Sequence, residues 1–283
     1  MLKEKVEKLK NCVIEGKLET AVPIKIKNGK YLGWVSDFGF SLDGEKFFLD
    51  LNNWNDVFLL FALSIAWSKN SRWENAALFV AYLRYYSKDT PDYWLKEENV
   101  QKEIKNARKS RKEILKKVEN FNYRSYPAFS KDIFPPMKTL SENWNEIKEA
   151  LEHLKSLKNV KLKNAISFAL KLRNIPNLAP GGKRLLVKIP LIMRELRCQE
   201  VINFPGEVCC VIDSRVKEAI KELFGSEFNA LRVSPAIKRT LSEINDSSFR
   251  SVFRKSERVY SLFGDLYDIP LFLYFECKEA GLI

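Results

Sequence analysis

Histidine is nearly absent: His153 is the only one in 283 residues. A metal site with two histidine ligands is therefore excluded. His153 itself follows Leu151-Glu152 on a charged amphipathic stretch with no partners for a nucleophilic triad, so it reads as a surface or flank residue. Cysteine is sparse and unpatterned. Cys12, Cys198, Cys209, Cys210 and Cys277 are odd in number and contain no Cys-x-x-Cys, which removes the usual zinc and iron–sulfur spacings. Adjacent Cys209 and Cys210 are poorly placed to bridge each other, and a reducing interior is expected. Long apolar runs are missing too: the longest, Val57 to Trp67, is too short to span a bilayer. Met1–Lys10 is charged and amphipathic rather than a secretory leader. Glutamine occurs only at Gln101 and Gln199 in a Lys/Glu-rich chain, a thermophile-like trait. A cytoplasmic, nucleoid-associated monomer with no membrane contact is expected.

What the chain does have is apolar bulk and positive charge. Apolar residues make up 46% and aromatics 12%, enough for a substantial core in one large domain or two modest ones. Lys and Arg number 48 against 36 Asp and Glu, for a net charge of +12. Such an excess fits nucleic acid, an acidic lipid surface, or only a well-solvated exterior.

The first 51 residues differ from the rest. Ile24, Ile26, Tyr31, Leu32, Trp34, Val35, Phe38, Phe40, Phe47 and Phe48 favour strands, and Asn28-Gly29 and Asp43-Gly44 suit tight hairpin turns. A short antiparallel sheet of two to four strands is predicted within an N-terminal region, 1–51, and an all-helical region over 52–283. Asn53 or Asn55 caps a helix to about Lys69, and Ser71 opens another through Leu83. A long basic helix is predicted from Tyr93 to Phe121, followed by a loop over 122–136 with a double proline. Helices are predicted at 139–158 and 161–173, with two or three more in 231–283, the last interrupted at Ile269-Pro270.

Two junctions carry the chemistry. At Arg173-Asn-Ile-Pro-Asn-Leu-Ala-Pro-Gly-Gly-Lys183 a helix stops, a hairpin near 174–183 intervenes, and an apolar helix is predicted to begin at Gly182 or Lys183, kinked or delayed by Pro190. Gly181 and Gly182 permit close backbone approach, and a helix N-terminus can receive a phosphate. Lys183, Arg184 and Lys188 would flank that phosphate. An ordinary helix–helix turn fits equally well. At Phe204-Pro-Gly-Glu-Val-Cys-Cys-Val-Ile-Asp213-Ser-Arg-Val an extended apolar run ends in a helix cap. Beyond capping, Asp213 could remain ionised through the helix dipole and amide hydrogen bonds, and so stabilise a developing cationic sugar. It follows Lys183 by 30 residues, enough for the intervening helix to run out and the chain to return. A lysine amine and a carboxylate facing one deoxyribose are the ingredients of base excision.

The stretch from the hairpin through Val216 resembles the helix-hairpin-helix DNA glycosylases, and within them the archaeal 8-oxoguanine glycosylase/lyase branch. The match is tightest at Phe204-Pro205-x-Glu207-Val208 leading to Ile212-Asp213-x-Arg215-Val216-Lys217. Looser likeness extends over 56–86 and Asp268-Ile269-Pro270-Leu271. The family's late His and Asp have no counterpart after Ile269-Pro270, where Phe272-Leu273-Tyr274-Phe275 stands. The resemblance implies a mainly α helix-hairpin-helix DNA glycosylase fold carrying a short N-terminal antiparallel sheet. It implies Lys183 as Schiff-base nucleophile and Asp213 as its carboxylate. A second register, Lys163 to Lys171, resembles the lysine-bearing helix but lies too far from Asp213.

An extruded base needs stacking partners, and Trp67 and Trp73, at the ends of neighbouring predicted helices, are candidates; core packing is their other reading. Gly181, Gly182, Arg184, Lys188 and Arg215 are the candidate DNA contacts. The expected activity is removal of an oxidised purine (8-oxoguanine) from damaged double-stranded DNA by an N-glycosylase/lyase, with no metal and no cofactor. A non-catalytic helical DNA-binding protein and a helical protein-interaction module are the alternatives.

Overall fold

A computed structural model describes residues 2–15, 18, 24–36, 41–68, 73–87, 92–109, 118–119 and 131–283. Helix α1 (Leu2–Ile14) turns Val6, Leu9, Cys12 and Val13 inward. Both dipeptide turns form. Strands β1 (Ile26–Lys27) and β2 (Lys30–Tyr31) pair antiparallel around Asn28 and Gly29, whose φ angles are 51° and 71°. Strands β3 (Ser41–Leu42) and β4 (Glu45–Lys46) do the same around Asp43 and Gly44, at 50° and 78°. Positive φ at both central residues is the geometry that Asn-Gly and Asp-Gly tolerate.

The predicted helix over 93–121 is not continuous. A single 3₁₀ turn at Tyr93–Leu95 precedes α4 (Glu97–Lys109), and Val118–Glu119 forms β5. Strand β5 adds to the open edge of β3, with Ser41 opposite Glu119, giving the order β4-β3-β5 beside the two-stranded β1-β2 ladder. Edge backbone groups seek partners, and Val118 is β-branched, so pairing with the distant β3 overrides a helical charge pattern here.

Helix α2 (Trp54–Trp67) starts where Asn53 accepts from the Asn55 N–H, and its side chains from Asp56 to Trp67 are all buried. A helix apolar on every side belongs at the centre, and α2 packs against α3 (Trp73–Ser87), α5 (Phe134–Glu142) and α8 (Ile189–Cys198). The double proline read as loop lies in the first turn of α5, where missing N–H groups cost nothing. Helices α6 (Trp144–Ser156) and α7 (Leu162–Asn174) follow. His153 sits in the last turn of α6 and is exposed, as expected.

Beyond α8 come α9 (Ser214–Phe224), α10 (Glu227–Ala230), α11 (Pro235–Ser242), α12 (Ser247–Phe263), α13 (Ile269–Phe272) and α14 (Tyr274–Glu279). Helix α1 packs against α12, α13 and α14, and a disulfide joins Cys12 to Cys277 across 265 residues of sequence. That bond departs from the thiol state expected from composition. One buried apolar cluster runs through both the 1–51 and 52–283 regions, from Val6 to Cys277. No helix among the described residues is long and apolar enough to cross a membrane.

Candidate functional site: a buried lysine on a helix-capping aspartate

The hairpin forms, but its lysine stays in it. Ala179 and Lys183 close an isolated bridge, with the Ala179 N–H donating to the Lys183 carbonyl at 2.9 Å, around Gly181 and Gly182 at φ 76° and 71°. Lys183 and Arg184 are exposed there. The predicted helix start at Gly182 or Lys183 is displaced to Ile189, with Pro190 in the first turn. Proline has no N–H to give and a fixed φ, so it belongs at a helix start, and residues 184–188 remain non-helical.

That displacement changes which lysine meets the aspartate. Lys188, at the N-cap of α8, donates from Nζ to Asp213 Oδ2 at 3.2 Å. Lys183, expected to hold this position, makes no such contact. Asp213 caps α9: its Oδ1 accepts the Val216 N–H at 3.0 Å. Each carboxylate oxygen thus has one fixed partner, a backbone amide and the Lys188 ammonium. Lys188 is 5% exposed, and its Nζ also lies 3.8 Å from the centroid of the Trp67 ring. Burial lowers its pKa, while Asp213, and more distantly Asp268, pull it back up. The result is an amine that loses its proton more readily than an exposed lysine, held beside a carboxylate.

Aromatic rings surround this pair. Trp67 packs against Trp34 at 4.6 Å, Trp73 at 5.3 Å and Phe272 at 6.3 Å between ring centroids. Trp34 also lies 5.2 Å from Trp73 and 5.3 Å from Phe272. Both sequence candidates, Trp67 and Trp73, therefore stand in one cluster, with Trp67 directly under the amine. Trp34, read from sequence only as a strand residue, is at the cluster's centre and 1% exposed. Its indole Nε1 is buried without a hydrogen-bond partner.

A buried ionic network fixes the cluster to α8. Arg194 donates from Nη1 to Asp268 Oδ1 at 2.6 Å and from Nε to Glu195 Oε1 at 3.3 Å. Glu195 Oε2 accepts the N–H groups of Trp34 and Val35 at 2.7 and 3.2 Å, and Asp268 Oδ1 accepts the Val211 N–H at 2.8 Å. Burial raises the pKa of both carboxylic acids against the opposing pull of Arg194. The Arg194 guanidinium stands 4.9 Å from the Trp34 ring and 5.5 Å from Tyr31. One turn on, Gln199 accepts the Leu51 N–H and donates to the Leu49 carbonyl, both at 2.9 Å. The N-terminal segment is thereby bonded to the helix that carries Lys188.

The approach to Asp213 is held with equal care. Arg197 donates to Asn203 Oδ1 at 2.9 Å, to the Phe204 carbonyl at 2.6 Å and to the Tyr267 hydroxyl at 2.9 Å. Gly206 admits the Tyr260 ring, which an added Cβ would meet at 2.2 Å. Arg215, expected to contact DNA, is committed internally: it donates to the Phe272 carbonyl at 2.7 Å, pairs with Glu276, and lies 4.8 Å from the Phe272 ring. It braces the C-terminal helices against α9.

Arg194 and Glu195 escaped the sequence reading, and Asp268 and Trp34 were read there without a role in the site. One signal existed, two adjacent charges inside the otherwise apolar run Ile189–Leu196. Comparison with protein-family models, with curated proteins and with solved structures finds no match to the chain.

Proposed function

We propose that the chain is a base-excision DNA N-glycosylase and abasic-site lyase acting on an oxidised purine, with Lys188 as nucleophile in place of Lys183. The observation that carries this reading is the Lys188–Asp213 pair: a buried, desolvated amine 3.2 Å from a carboxylate that is itself fixed by a helix N-terminus. A lysine becomes nucleophilic when its pKa is lowered, and an oriented carboxylate stabilises the oxocarbenium character of a breaking glycosidic bond. The sequence likeness around Asp213 supports the carboxylate's part in that chemistry.

The neutral Lys188 amine attacks the anomeric carbon. The glycosidic bond breaks, and the base leaves with the bonding pair and takes a proton from water. The attached amine then gives up a proton, which passes through Asp213 or water to O4′ as the C1′–O4′ bond breaks, giving a protonated imine. Loss of a C2′ proton then breaks the C3′–O bond and nicks the strand, and water hydrolyses the imine to restore the amine. Trp67 would leave the ammonium and face the extruded base, while exposed Gly181, Gly182, Lys183 and Arg184 would hold the backbone.

One observation favours a second reading. Lys188 is 5% exposed, as expected of a structural ion pair in a non-catalytic DNA-binding protein. Borohydride trapping on a duplex with one abasic site separates the two. The first reading gives a covalent adduct lost in Lys188→Gln, and the second gives salt-sensitive binding with no adduct.

A further inference from the structure

Helix α12 presents a run of cations, none of which forms an ion pair with a carboxylate among the described residues. Arg250, Arg254 and Arg258 recur every four residues, one ridge of a helix, with Lys255 beside Arg254. Burial lowers the pKa of Lys255 and of Arg258; Lys217 of α9 and Arg258 lower that of Lys255 further, and Arg254 lowers that of Arg258 while Glu257 opposes it. These groups repel one another. Glu257, the acidic residue of this stretch, is spent: both its oxygens accept the Ser234 N–H, at 3.2 and 3.1 Å. Glu218 adjoins Lys217 in sequence, and successive residues on a helix face different ways. Arg258 is anchored by its Nε to the Leu231 carbonyl at 3.0 Å, and the buried Nε of Arg250 has no hydrogen-bond partner. Lys217 and Arg254 are exposed, and none of Lys217, Arg250, Arg254, Lys255 and Arg258 forms an ion pair among the described residues.

The patch is fastened to the candidate site. Ser256, next to Lys255, donates to the Glu207 carbonyl at 2.7 Å and accepts the Cys210 N–H at 3.0 Å, on the segment that leads into Asp213. Lys217 lies one helical turn beyond Asp213, about 6 Å along the axis. Lys183 and Arg184 lie just ahead of Lys188 in the chain, so cations bracket the lysine–aspartate pair on both of its segments.

We propose that Lys217, Arg254 and Lys255, with Arg250 and Arg258 behind them, form a second phosphate-binding surface that holds the sugar-phosphate backbone of duplex DNA on the α9–α12 side of Asp213. It rests on the DNA reading above and adds to it a contact surface distinct from the hairpin. Self-repelling cations left without ion-pair partners gain most from a ligand that carries regularly spaced anions, and a phosphodiester backbone is such a ligand.

The test is binding of the wild type and of the double variant Arg254→Gln/Lys255→Gln to an undamaged duplex of about 30 base pairs over a range of salt. Two lost phosphate contacts lower the slope of log K against log salt by about 2, so the affinity lost between about 50 and 200 mM salt becomes roughly tenfold smaller. Circular dichroism and thermal melting of the variant establish that it is folded. An unchanged slope in the folded variant overturns the surface, as does wild-type binding that is insensitive to salt. Trapping by the wild type on an abasic-site duplex reads Lys188 separately. An adduct with an unchanged slope sinks the surface alone; a lowered slope without an adduct keeps the surface and sinks the lyase chemistry.

Discussion

Three influences act on the Lys188 amine, one against its charge and two for it. Burial favours the neutral amine, Asp213 favours the cation, and the Trp67 face, 3.8 Å away, also favours the cation. Removing the carboxylate therefore has a defined sign. Asp213→Asn takes away a group that raises the Lys188 pKa, so the pH at which the amine becomes neutral moves down. The single-turnover lyase rate of that variant should be strongly reduced, with its rising limb shifted to lower pH; a limb that stays in place or moves up would show that Asp213 does not act on the amine. The sequence made Asp213 legible because a capping residue is a local signal. The identity of its lysine was not, because it depends on which residue begins α8. Gly-Gly-Lys looked like a helix start, yet the Ala179–Lys183 bridge and Pro190 delay the helix to Ile189.

Turns and caps are local, and at the scale of elements they were the most readable features. The Asn28-Gly29 and Asp43-Gly44 hairpins and the Asn53 and Asp213 caps all form. The break of the predicted 93–121 helix and the docking of the non-strand segments at Trp34-Val35 and Leu49–Leu51 on α8 were hidden, since both depend on residues far away in the chain. That docking hinges on Gly33, whose φ is 93° and whose added Cβ would stand 2.7 Å from Glu195 Oε2. Gly33→Ala would strain the backbone and push on the carboxylate that holds Trp34 and Val35, at a cost of about 1–3 kcal/mol. Denaturant melts should show that loss together with a weaker adduct yield; a variant as stable as the wild type would mean that the Glu195 clamp contributes little. Glu195→Leu is harsher, because it leaves Arg194 with one carboxylate in a fully buried site.

The whole molecule is closed by its ends. Helix α1 lies on α12, α13 and α14, and the Cys12–Cys277 bond spans 265 residues. A cross-link of that length restricts the unfolded chain heavily, and disulfides stabilise by about 2–5 kcal/mol. Cys12→Ser, or a strong reductant applied to the wild type, should lower the thermal midpoint by roughly 5–15 °C; a midpoint unaffected by either would show that the two cysteines are not bonded in solution. Composition could not reveal this pair, since five cysteines without a motif leave every pairing open. Net charge was legible at this scale, whereas its concentration on α12 beside Asp213 needed the packing.

The most direct test is borohydride trapping on a duplex with one abasic site, comparing the wild type with Lys188→Gln and Lys183→Gln. The account predicts an adduct with the wild type, none with Lys188→Gln, and a retained adduct at saturating DNA with Lys183→Gln. An adduct that survives Lys188→Gln and disappears with Lys183→Gln would contradict it, returning the chemistry to the hairpin and leaving Lys188 a buried ion pair.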